Sequence, residues 1–313
     1  MKTKIEREEK SLFEDVPNEV INIIVDALNK EPEAQRNLNL SCRFFYNNYH
    51  QQWLMLHLID ACICGNQEKA QKILQRYPEL MIEKKDKITD LSGRTFYNLS
   101  VWQYILWALD VRYMAPMMLH CLPHTEEGEA MRLQLAKQLD EVETHGVIYE
   151  LNGNTFNEKH YDFAIISVLS AYYNECYSLS DTPISTRIKS ISDAQQLVPA
   201  HVAQHYCDTN VPFTPTPTFK KEQFTRSLNC YLGANSLGNW FACLKSLGHS
   251  YAISKAWSTQ ATLRLDFPSE IAMVDWVALF TLKKARNADL AFLKQQLQKP
   301  LQECVKGDFS ATI

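Results

Sequence analysis

Nowhere in the 313 residues do about 18 uncharged apolar residues follow one another, so no segment can serve as a membrane-spanning helix. No apolar run follows the opening MKTKIEREEK either, and a Sec-type signal peptide is therefore not expected. A basic surplus is missing as well. Net charge is -4, and no cluster of lysines and arginines forms the stripe that a phosphate backbone requires, which argues against nucleic acid as a partner. Glycine is scarce, with nine residues, and proline scarcely commoner, with twelve. With so few breakers, and with apolar residues recurring at spacings of three and four, the chain reads as mainly α, strands being a minority. The nine cysteines are odd in number and irregularly spaced in a chain too large to need staples, so reduced thiols are expected.

What is present organises the chain into four stretches. Residues 1–11 alternate in charge without an apolar stripe and read as a flexible N-terminus. Residues 12–58 hold a first helical cluster with a turn at NKEPEAQ, where Pro32 breaks the periodicity. Residues 59–300 form a larger helical domain with minor irregular or extended segments, and residues 301–313 a tail. Within the large domain, a helix pair is expected on either side of Gly65–Asn66. Another lies between Ser100, as N-cap, and Leu122. Further helices are expected over 126–145, ending near Gly146, over 161–177, and over 269–299. The stretch CDTNVPFTPTPTF suits an extended segment. The run ACICGNQEKAQKIL followed by DLSGRT has the rhythm of an ankyrin repeat, with FYNLS as an insertion, and too few units are visible for a regular solenoid.

Motifs that carry chemistry are few. His201 and His205 lie one helical turn apart with Cys207 close behind, a spacing from which two imidazoles can chelate zinc. A site needs three or four ligands with oriented partners, and packing at a helix start after Pro199 accounts for the same residues, so no metal is assigned. Cys42, Cys62, Cys64 and Cys243 fall on apolar helix faces, where cysteine is a small core residue. GANSLGNW lacks the lysine and preceding strand of a phosphate loop. Trp102, Ile105, Leu106 and Leu109 have the spacing of a buried helix face rather than a stacking platform. No catalytic residue and no cofactor are assigned.

The stretch FEDVPNEVINIIVDAL remains. Pro17 suits the first turn of a helix, and Asp15 and Glu19 suit its positive end. Val20, Ile21, Ile24 and Leu28 are read as one face that Ile23 and Ala27 widen, an apolar arc too broad for one neighbour to cover. With the continuation LNLSCRFFYNNYHQQWL, this stretch resembles the F-box, the module that docks onto the Skp-family adaptor of cullin-RING ubiquitin ligases. The resemblance rests on Val16, Pro17, Glu19, Val20, Ile24, Leu28, Leu40, Cys42, Arg43, Phe44 and Trp53. EPEAQRN stands where the family opens its second helix with Asp-Leu. The resemblance implies a three-helix module whose adaptor-facing residues are Val16, Pro17, Val20, Ile21, Ile24, Leu28, Leu40, Arg43 and Phe44.

Residues 60–300 are similar to a domain found in effectors of Legionella and its relatives, through the blocks GNQEKAQKIL, ITDLSGRTFYNLSVWQYILWALD, GEAMRLQL, YDFAIISVLSAYYN, LVPAHVAQHYC, FTRSLNCY and DLAFLKQQL. That likeness implies delivery by a type IV system into a host cell's cytoplasm. The combined expectation is a non-catalytic F-box subunit that binds the host Skp adaptor, and through it cullin, and recruits an unidentified host protein. Two other readings stay open: an effector that masks its target without a ligase, and an enzyme with a cysteine or metal site.

Overall fold

The computed structural model describes residues 16–28, 32–41, 43–176, 190–191, 193–207, 211, 213–220, 229–232, 235–239 and 268–304. The expected flexible N-terminus 1–11, the tail beyond 304, Cys42 and Cys243 lie outside them. The chain divides into two compact units, Met1–Leu58 and Ile59–Ile313. It is mainly helical with a small antiparallel sheet.

The first unit contains α1 (Asn18–Leu28), α2 (Pro32–Ser41) and the larger part of α3 (Arg43–Ile63). Pro17 starts α1, its carbonyl accepting from the N–H groups of Val20 and Ile21 at 3.0 and 3.2 Å. Pro32 occupies the first position of α2, where a missing N–H costs nothing. Ile21, Val25 and Phe45 form the buried centre, with Val16, Leu38, Phe44 and Tyr49 packed around it.

In the second unit α4 (Gln67–Leu74) follows the Gly65–Asn66 turn, with Asn66 as its cap through a 3.1 Å bond from the Lys69 N–H. After a short 3-10 turn at Pro78–Met81 come β1 (Lys84–Thr89), β2 (Thr95–Ser100), α5 (Val101–Ala108), α6 (Met114–His120) and α7 (Glu126–His145). Ser100 and Gln103 form a reciprocal capping box at the start of α5. The acidic first turn of α7 suits its dipole, and Gly146, at φ +73, ends it. Then follow β3 (Val147–Leu151), β4 (Asn154–Glu158), α8 (Ala164–Cys176), α9 (Ala200–Cys207), β5 (Asn229–Leu232), β6 (Asn235–Asn239), α10 (Pro268–Leu297) and α11 (Leu301–Cys304).

Strands β1 to β4 form one sheet in chain order, every pair antiparallel, and β5 pairs with β6. By the repeat rhythm of the sequence, FYNLS is expected as an insertion. It is strand β2, whose Phe96 and Leu99 turn inward, and it pairs with β1 across a turn held by Asp90. One Asp90 carboxylate oxygen accepts from the Ser92 and Arg94 N–H groups, both at 2.9 Å. The β3–β4 hairpin closes through Asn152 and Gly153, both left-handed at φ 51 and 77, the two-residue turn that matches strand twist.

The core of this unit lies where the sheet meets α5. Phe96, Tyr104, Trp107, Tyr149 and Tyr161 pack edge-on or tilted at centroid distances of 4.7–6.3 Å. Arg94 is threaded among them, its guanidinium 5.2, 5.5 and 5.7 Å from the rings of Trp107, Tyr149 and Tyr161. It also donates to the Leu197 carbonyl at 2.8 Å and lies 3.6 Å from Asp90. Trp102, Ile105, Leu106 and Leu109 are buried, as their spacing indicates.

Candidate functional site

A helix of three turns cannot turn all its apolar residues inward, and α1 divides them. Ile21 and Val25, four positions apart, form the inner stripe. Val20, Ile23 and Ile24 remain 45%, 68% and 39% exposed, three large aliphatic side chains within five residues. Among the described residues of the first unit Tyr46 and Leu56 are exposed as well, on α3, but on α1 these three form the apolar surface that its own core does not use. Pro17 and Arg43 are also exposed, and Leu28 is half-buried.

The expected adaptor-facing set is therefore split. Ile21 is a correction: it has no exposed surface, because it closes against Phe45, and it cannot face a partner. Val16 and Phe44 are partly buried supports of the same cluster, Phe44 meeting Phe45 edge-on at 5.4 Å. Pro17, Val20, Ile24 and Arg43 are at the surface, and the Leu40 side chain lies outside the described residues. Ile23, expected only to widen the arc, is the most exposed large aliphatic residue among those described. The missed signal was Val25: pairing it with Ile21 at a spacing of four puts Ile23 on the far side.

Along α3 a column of rings continues, with Tyr46 stacked on His50 at 4.3 Å, His50 on Trp53 at 5.7 Å, and Trp53 edge-on to His57 at 4.4 Å. Partial burial pushes the His50 imidazole below its ordinary value. Trp53 is half-buried within this column.

The second unit's reactive groups are built differently. Cys62 and Cys64 are buried and free, and so are Cys121 and Cys304. Burial, with Asp110 close by, pushes the Cys62 thiol far up; burial with the Asp60 carboxylate takes Cys64 up to about 12; burial takes Cys121 up to about 11. These thiols are held away from the thiolate form that nucleophilic chemistry needs. His201 is buried on α9, and His205 meets Phe219 edge-on at 4.9 Å. Arg286 lies 3.2 Å from His205 Nε2, and since a guanidinium can only donate, that nitrogen is the acceptor. The lone pair a metal would take is already in use. Arg286 itself is anchored by Asp289 at 2.9 Å, which also pairs with Arg112 at 2.9 Å. Among the described residues no group of three or more His, Cys, Asp or Glu side chains is placed to hold a metal ion. Among them, too, no helix is long and apolar enough to cross a membrane.

Residues 164–297 match the family model described as the CBUA0006 C-terminal domain. This stretch runs from the start of α8 to the end of α10. A relative in Coxiella burnetii (strain RSA 493 / Nine Mile phase I), described as uncharacterized protein CBUA0006, is 31% identical over 272 residues, covering 80% of this chain and 77% of the relative. No solved structure matches the chain.

Proposed function

The chain belongs to the family of the Coxiella burnetii protein CBUA0006, and from that premise we propose that it is a secreted bacterial effector whose first unit is an F-box. In this reading the module binds the host Skp-family adaptor, and through it cullin, while the second unit holds a host protein for ubiquitination. The working place is the host cytoplasm, reached through a type IV system, and a relative in Coxiella burnetii supports a bacterial origin. The helix pair around Gly65–Asn66 and the β1–β2 hairpin would form the ankyrin-like part of the substrate-holding unit. The chain performs no chemistry; it raises the local concentration of a target lysine near a charged conjugating enzyme.

The observation that carries the reading is the exposure of Val20, Ile23 and Ile24 on a helix whose inner stripe is already satisfied. Such a surface costs free energy in water and is expected where a partner covers it. The exposed Pro17 beside it and the F-box resemblance of residues 16–53 support the adaptor as that partner. Burial of the described thiols, which opposes their ionisation, and the engaged His205 favour an adaptor over an enzyme.

The test is capture of the adaptor and cullin from a eukaryotic lysate by the full chain, repeated with purified adaptor. Direct binding that is lost in a Val20→Asp, Ile24→Asp variant supports the reading. A wild-type chain that binds a host protein but never the purified adaptor would instead make it a masking effector.

A further inference from the structure

The sheet carries one continuous row of side chains across all four strands, and that row is closed at one end only. Register places Ile88 of β1 opposite Phe96 of β2, Phe96 opposite Tyr149 of β3, and Tyr149 opposite Phe156 of β4. The first three are 2%, 0% and 3% exposed, whereas Phe156 is 38% exposed while stacked on Tyr149 at 5.2 Å. The core therefore runs out to the β4 edge and stops at an aromatic ring with one side uncovered.

The two edges of the sheet are unlike. Strand β1 reads KKDKIT, and lysines on an edge strand are the usual guard against pairing with another chain. Strand β4 reads NTFNE, with no lysine or proline and only a half-buried Glu158 at its end. The two-residue turn at Asn152–Gly153 makes Leu151–Asn154 a hydrogen-bonded pair, and the pattern alternates from there. Asn154, Phe156 and Glu158 thus spend their backbone groups on β3, leaving the N–H and C=O of Thr155 and Asn157 directed to the outer edge, which no strand covers among the described residues.

From this geometry we infer that β4 pairs antiparallel with β4 of a second copy of this chain, about a two-fold axis at Phe156. In that register Thr155 of each copy faces Asn157 of the other, so the four free donors and acceptors of each edge are matched in four hydrogen bonds. Phe156 faces Phe156 as a close, non-hydrogen-bonded pair and continues the row of rings into the second sheet. Asn154 falls opposite Glu158 and Gly153 opposite Lys159, so no like charges oppose one another. A self-complementary patch of this kind is what a two-fold interface requires. The contact is short and the pairing accordingly a weak, concentration-dependent one. It stands independently of the adaptor reading, since it involves only residues of the second unit.

Sedimentation velocity of the reduced full chain, from about 1 µM to about 500 µM to span weak association, should follow the rise from a 36.2 kDa monomer to a species of twice that mass. Phe156→Lys, which puts two like charges on the axis, should raise the dissociation constant at least tenfold. A second variant guards against misfolding of the first. Phe156→Cys places two thiols at a separation suited to a disulfide, and its cross-linked dimer should form at least tenfold faster than that of Leu133→Cys, an exposed control on α7. A chain that stays monomeric throughout, self-association untouched by the folded Phe156→Lys variant, or equal cross-linking at Phe156→Cys and Leu133→Cys would each overturn the inference.

Discussion

Ile21 packs against Phe45 with neither side chain left any surface, while Ile23, two positions along the same helix, is 68% exposed. The first unit is thus held together by one stripe of α1, while another stays exposed.

That division predicts two different phenotypes. Replacing Val20 and Ile24 together by Asp should abolish adaptor binding, since each buried aliphatic anchor contributes about 1.5 to 3 kcal/mol to such a contact. Helical circular dichroism and thermal stability should stay close to wild type. Ile21→Asp should instead unfold the first unit, because removing a buried aliphatic side chain alone costs about 2 to 5 kcal/mol. Proteolysis confined to residues 1–58 would report it, and a folded Ile21→Asp variant would contradict the placement of the core.

Glu129 predicts an acid limb. Its carboxylate accepts from Arg132 and from the Leu301 N–H at 2.8 Å, and the Arg132 hydrogen bonds hold its pKa below the ordinary carboxylate value. A depressed folded pKa means that the stabilisation is present above the unfolded value and is lost as pH falls through the folded one. Glu129→Gln should therefore lower the melting temperature at pH 7, and the gap from wild type should narrow as pH falls below the ordinary carboxylate range of about 4. A gap of constant size across that range would assign the effect to packing alone.

The buried thiols predict slow alkylation. With the Cys121 pKa up to about 11, only about one thiol in a thousand is ionised at pH 8, and Cys62 and Cys64 less still. Peptide mapping after iodoacetamide should find all three unlabelled in native protein and labelled once it is unfolded. Rapid native labelling of Cys64 would revive the nucleophile reading.

Zinc should not co-purify in stoichiometric amount, because His205 Nε2 already accepts from Arg286. Elemental analysis that found one zinc per chain, lost on His205→Ala, would reverse that assignment.

Helices were legible wherever caps and breakers mark them. Ser100, Gly146 and Pro17 announce their ends in the sequence, and the structure puts α5, α7 and α1 there. Strands β1 to β4 were not. Each is only five or six residues long, and FYNLS alternates too briefly to separate a strand from a loop. At the candidate site the apolar arc of α1 could be read but not its division, because Val20, Ile21, Ile23, Ile24 and Val25 are chemically alike. Only the position of Phe45 decides which of them turn inward.

Arg94 has a further consequence for the order in which the chain is made. Its guanidinium donates to the Leu197 carbonyl, 103 positions downstream, and meets rings from β3 and the segment before α8, as well as Ser92 and Asp90 of its own hairpin. A nascent chain that has emerged only as far as α7 holds this cation with Ser92 and Asp90 of its own hairpin but lacks the Leu197 carbonyl and the Tyr149 and Tyr161 rings, so the desolvation of the arginine is less fully compensated as the sheet closes on α5. The β1–β2 hairpin is therefore expected to gain its last anchor only from sequence that includes residue 197. Fragments cut short of that point are accordingly expected to hold a less stable sheet than the full chain, however complete their strands.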